Sequence, residues 1–73
     1  MIYTAKLEQE GRIILLASVD GENYFSINWE PRPEDEDDIR ELLTPKSKGE
    51  APYLGFKKDY LRNYDATFET LGS

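Results

Sequence analysis

The chain has 73 residues, contains no cysteine and no histidine, and carries a net charge of −6. The missing residue types exclude a disulfide framework, a thiolate zinc site and any catalytic triad built on imidazole. A chain this short buries only roughly 60% of its unfolded surface, so its core has to be compact.

Residues 2–8 alternate, with Tyr3, Ala5 and Leu7 against Thr4, Lys6 and Glu8, the pattern of a half-buried strand. Gly11 closes a turn begun at Glu8. "RIILLASV", residues 12–19, is apolar on both alternating faces and predicts a strand at the centre of its sheet. Asp20-Gly21 is a hairpin signal, because a type I′ turn needs two positive φ angles. "YFSINW", residues 24–29, predicts a third strand with Phe25, Ile27 and Trp29 on one face. Residues 2–29 thus read as a three-stranded antiparallel meander.

Pro31 and Pro33 end that strand, and Pro33 suits the first turn of a helix. Ile39, Leu42 and Leu43 form one apolar stripe on a predicted acidic helix over 34–43, which packs across the meander. Thr44-Pro45 stops it, because the residue before proline is pushed out of the helical region. Residues 45–52, "PKSKGEAP", have loop composition. Residues 53–71 form an aromatic C-terminal segment, read as a short helix near 57–64 and a fourth strand near 66–71, although 57–71 fits either state. The expected fold is a single α+β domain over 1–73.

Ile2, Ile14, Leu16 and Tyr24 point away from the face assigned to the helix and need a cover. The C-terminal segment supplies one by folding back. A second copy of the chain is the rival, which would make the protein a homodimerising unit.

Charges at Lys6, Glu8 and Glu10 argue against a signal peptide, and the apolar run 13–17 is too short to span a bilayer. A cytoplasmic protein with no membrane partner is expected. Residues 1–44 hold four basic and eleven acidic side chains, whereas residues 45–73 hold five and four. The acidic half disfavours nucleic acid and would attract a basic protein surface.

Five consecutive carboxylates, Glu34 to Asp38, exceed what a helix start needs. One or two gain from the macrodipole, each by roughly 0.3–1 kcal/mol, and the rest repel one another. Glu34, Asp35, Asp37, Asp38 and Glu41 are the candidate partner-binding residues, set against the plainer reading of a solvated face with helix-start charges. The run lacks the glycine and spacing of a calcium loop, so no metal and no cofactor are expected. Fifteen acidic residues are too many to single out a catalytic pair, the serines have no histidine to activate them, and the glycines are scattered singly. No enzymatic activity is expected.

The second candidate is residues 46–64, with five basic side chains, two acidic ones and four aromatics. Tyr53, Phe56, Lys57, Lys58, Tyr60 and Arg62 would there stack bases and meet phosphates in a nucleotide or single-stranded nucleic-acid binder. The preferred reading has the aromatics as core, covering the second sheet face, while the lysines stay solvated. Arg62 and the lysines could also pair with the acidic helix of their own chain.

The opening "MIYTAKLEQEG" resembles the first strand and turn of HicB-type antitoxins over about eleven residues. The later chain departs from that pattern, so the family's function is not carried over. The expectation from the residues is a non-enzymatic, acidic protein-binding module, an inhibitor or regulator that occupies a basic, nucleic-acid-binding type of surface. Phage anti-defence proteins and antitoxins are the analogy.

Overall fold

A computed structural model describes residues 1–47 and 55–71. Its centre is a five-stranded antiparallel sheet of β1 (Ile2–Gln9), β2 (Arg12–Ser18), β3 (Asn23–Ile27), β4 (Phe56–Lys57) and β5 (Thr67–Leu71), in the order β4-β3-β2-β1-β5. Helix α1 (Glu36–Ser47) follows a 3₁₀ turn at Pro33–Asp35, and the one-turn helix α2 (Lys58–Arg62) follows β4. The α+β class and the β1-β2-β3 meander agree with the sequence reading. The count of three or four strands is too low, because β4 has only two residues and cannot show an alternating pattern.

The two hairpin turns exchange their expected roles. Gln9 pairs with Arg12 across Glu10-Gly11, whose φ angles of 52° and 77° make the two-residue turn with paired positive φ. At Asp20-Gly21 only the glycine has positive φ. Here the Asp20 carboxylate organises a longer loop. Its Oδ1 accepts from the backbone N–H of Glu22 at 2.8 Å and of Asn23 at 2.9 Å, and from the Ser18 hydroxyl at 2.9 Å. Ser18, fully buried, accepts in turn from the Gly21 N–H at 2.9 Å. Burial raises the Asp20 pKa, but these bonds, led by those from the Asn23 and Glu22 backbone, outweigh it and bring the value to about 2.

Two cores lie on opposite sides of the sheet. Ile2, Ala17, Phe25 and Ile27 pack under Ile39 and Leu43 of α1. Ala5, Leu7, Leu16 and Tyr24 pack under Leu61 of α2, with Tyr3, Ile14, Ala66 and Phe68 at the margin. The chain's own C-terminal segment is therefore the cover for the second face. Two side assignments are corrected. Ile2 belongs beneath α1, and Tyr3, Ala5 and Leu7 lie on the α2 side. The pairs Tyr3↔Ser18, Ala5↔Leu16 and Leu7↔Ile14 put them there, since cross-strand partners share a face. Trp29 lies beyond the end of β3, partly exposed. The face proposed for a homodimer is largely closed, because Ile2, Leu16 and Tyr24 are buried and Ile14 is half-buried.

The helix predicted over 34–43 starts and ends later. Residues 33–35 form the 3₁₀ turn, and α1 continues through Pro45 to Ser47, where the sequence predicts a loop. Pro45 has no N–H to return to the Glu41 carbonyl, but that side of the helix is open to water. The Thr44 hydroxyl donates to the Arg40 carbonyl at 2.6 Å, which supports the same turn. The rest of the predicted loop, 48–52, falls outside the described residues. Helix α2 is shorter than the predicted 57–64, and its chain turns through Asn63–Asp65, where Asp65 takes φ 58°, before β5 begins.

Candidate functional site

The acidic run separates into inner and outer carboxylates. Asp35 lies at the 3₁₀ turn, where its Oδ2 accepts from the Arg32 N–H at 3.1 Å and its own N–H donates to the Arg32 carbonyl at 2.8 Å. Glu36 receives the Arg40 guanidinium at 2.8 Å, one helical turn away. That bond holds the Glu36 carboxyl below its ordinary pKa. Glu34 keeps a long contact with Arg32 at 3.9 Å. Asp37, Asp38 and Glu41 are exposed and make no ion pair among the described residues.

Asp37, Asp38 and Glu41 share one side of α1 by their i, i+3 and i, i+4 spacing, and Glu34 precedes them in the 3₁₀ turn. Across the helix, Ile39 and Leu43 are fully buried, so the ridge is anchored from behind. Leu42, predicted as core, is 44% exposed and neighbours Asp38 and Glu41. It gives the acidic ridge an apolar element that the stripe reading missed. The periodicity could have revealed this, because Ile39 and Leu43 alone complete an i, i+4 contact with the sheet.

The aromatic candidates form a row on the other side of the sheet. Phe56 and Tyr60 stack with centroids 5.9 Å apart, and Tyr60 and Tyr64 lie 5.0 Å apart at 47°. Their exposures are 39%, 47% and 48%. The row borders a crevice of about 50 Å³ lined also by Leu7, Ile14 and Leu61. Tyr64 was not among the expected ligand-binding residues, although its i+4 spacing from Tyr60 signals the contact. Tyr53 lies outside the described residues.

The cations do not converge on these rings. Lys58 holds its ammonium 5.5 Å from the Phe68 centroid, and Arg62 pairs with Asp59 at 3.8 Å. Lys57, paired with Asn23 at the sheet edge, points to the opposite face from Phe56. The described residues thus separate the aromatic and basic components expected to act together. They also correct the idea that Arg62 and Lys58 neutralise the acidic helix, because both are engaged on the α2 side, opposite α1.

Among the described residues, no group of three or more carboxylates is arranged to hold a metal ion. None of the described helices is long and apolar enough to cross a membrane. The chain matches no family model, no curated protein and no solved structure.

Proposed function

We propose that the chain is a non-enzymatic protein-binding module. Its α1 ridge meets a basic surface of a partner protein, of the kind that otherwise holds nucleic acid. The observation that carries this reading is the set of exposed carboxylates at Asp37, Asp38 and Glu41, which make no ion pair among the described residues, on a helix pinned by Ile39 and Leu43. Local helix stability accounts for Asp35 and Glu36, and the macrodipole favours Asp37 and Asp38 in the first turn of α1, but five carboxylates exceed that need and Glu41 lies beyond it. Rigid presentation lowers the ordering cost of binding, and a one-sign surface raises the association rate with a basic partner. Leu42 supplies the apolar contact that a purely ionic surface lacks. Such a module would act as an inhibitor or regulator by occupying its partner's groove.

The test is affinity capture from a lysate of the source organism with the native chain and with a Glu34→Gln, Asp37→Asn, Asp38→Asn, Glu41→Gln variant. Asp35 and Glu36 are kept because they hold the helix start. The expected result is a partner retained by the native chain only and released at about 0.5 M salt, where the screening length falls to a few ångströms. Retention of the same proteins by both chains would defeat the proposal.

A further inference from the structure

Asp20-Gly21 is a chemically labile pair, and it is the one aspartate in the chain followed by glycine. The Gly21 nitrogen can attack Cγ of the protonated Asp20 carboxyl, its N–H proton and the carboxyl OH leaving as water. The five-membered imide that results takes up water again. Breaking the new bond to Cγ restores aspartate, whereas breaking the original bond to the main-chain carbonyl leaves the backbone running through Cγ as isoaspartate. Nothing is oxidised or reduced, and the overall composition is unchanged. Glycine eases the attack because it lacks the Cβ that would crowd the ring. The fold nonetheless requires this pair, since Gly21 has a φ of 77° and the Asp20 carboxylate organises the loop.

In the folded chain both reacting groups are tied to other partners. The Gly21 N–H donates at 2.9 Å to the hydroxyl of Ser18, which is fully buried at the end of β2. Asp20 Oδ1 accepts from the Ser18 hydroxyl and the N–H groups of Glu22 and Asn23, at 2.9, 2.8 and 2.9 Å. Oδ2 accepts from the Asn23 side-chain amide at 3.0 Å. Burial raises the Asp20 pKa, but these donors outweigh it and bring the value to about 2, so the reactive acid form is scarce. We propose that Asp20-Gly21 is a latent self-modification site, blocked while the hydrogen bonds among Ser18, Asp20, Gly21 and Asn23 are closed and converted to isoaspartate only in chains whose loop has opened. After conversion the free carboxylate sits directly on Cα and the backbone is one carbon longer, so the cap on Glu22 and Asn23 is lost. The loop thereby records time spent open.

The inference is independent of the α1 proposal, since it concerns another segment and a different readout. The full chain is incubated folded in buffer and unfolded in urea, at the same mildly acidic pH. Isoaspartate is measured by methyl transfer from an isoaspartyl methyltransferase, and peptide mapping locates it. The chemistry is slow against loop opening, so its rate follows the open population. Freeing both reacting groups breaks at least two hydrogen bonds, so the folded chain should convert at least about tenfold more slowly than the unfolded one. Ser18→Ala frees the Gly21 N–H and removes one donor to Oδ1, and should raise the folded-state rate about fivefold or more. Asn23→Ala, which releases Oδ2, serves the same purpose if Ser18→Ala does not fold, with circular dichroism reporting the fold of each. Leu61→Ala, which weakens the chain away from the loop, is the control and should convert more slowly than the loop variant. Equal rates in the folded and unfolded native chain overturn the proposal, as does an unfolded chain that forms no isoaspartate or forms it mainly at another aspartate. A folded loop variant that converts at the native rate also overturns it, because the block then lies outside these bonds. A faster Leu61→Ala chain overturns it too, by placing the opening in global unfolding.

Discussion

Leu61→Ala tests the attachment of α2 most directly. Leu61 is 0% exposed and is the buried residue of a five-residue helix, packed with Ala5, Leu7, Leu16 and Tyr24. A helix this short has no independent stability, so the side chain holds the segment in place. The Leu61 carbonyl also accepts from the Tyr64 N–H at 3.0 Å and the Ala66 N–H at 3.3 Å, which directs the chain toward β5. Losing the buried methyl groups and leaving a cavity costs about 3 kcal/mol. The whole stability of a 73-residue chain is on the order of 4–11 kcal/mol, so this single truncation removes a large share. Urea denaturation followed at Trp29 should show the midpoint lowered with the slope unchanged, and Tm should fall by roughly 15 °C. The control is Leu42→Ala, 44% exposed, which should change stability by less than about 0.5 kcal/mol. A Leu61→Ala loss below about 1 kcal/mol would refute the packing argument, because a fully enclosed leucine cannot be removed that cheaply.

The Asp20 loop predicts a specific acid sensitivity. Its folded pKa of about 2 lies below the usual carboxylate value, so its contribution is complete above about pH 4 and is lost as pH falls toward 2. Asp20 is exposed, so solvent screening reduces the contribution to about 1 kcal/mol. Asp20→Asn should destabilise the chain at pH 7 and flatten the decline between pH 4 and 2, and an unchanged pH profile would count against the hydrogen-bond account. Gly11→Ala should cost about 1 kcal/mol although a Cβ there would meet nothing within 4 Å, because its φ of 77° is unfavourable for any side chain. Thermal melts of Gly11→Ala and Gly11→Asn separate backbone strain from crowding, since Asn tolerates that conformation and should cost less.

The meander was legible in the sequence because β1 to β3 alternate and the turns carry glycine. What alternation could not supply was which of its faces meets α1. β1 has apolar residues at Ile2 and at Tyr3, Ala5 and Leu7, so either side satisfies the period, and only the pairing with β2 decides. β4 was hidden by its two-residue length and by Gly55, where a Cβ would come within 3.0 Å of the Phe25 ring. That close approach to β3 leaves no trace in local composition. The acidic run was conspicuous, yet Asp35 and Glu36 are chemically the same as Asp37 and Asp38 in a string of letters. Their roles differ because the bend at residue 35 aims one carboxylate at the Arg32 N–H and the helix aims the next at Arg40. The aromatic row was legible as spacing, but the direction of Lys58 and Arg62 was set by Phe68 and Asp59, contacts that sequence proximity alone does not rank.

β1 lies between β2 and β5, with Ile2 opposite Leu71 and Tyr3 opposite Thr70. Of the five strands of this sheet, the earliest in chain order is therefore the one whose second flank is filled last. Until residue 71 has been made, the growing chain carries β1 as a bare edge, with N–H and C=O groups open to any extended segment nearby. Closing this flank joins residues from nearly opposite ends of the described chain, a slow step by loop entropy. The fold thus has a vulnerable interval during synthesis, and Lys6, Glu8 and Glu69, the charged side chains along these two strands, are placed to discourage a foreign strand during it.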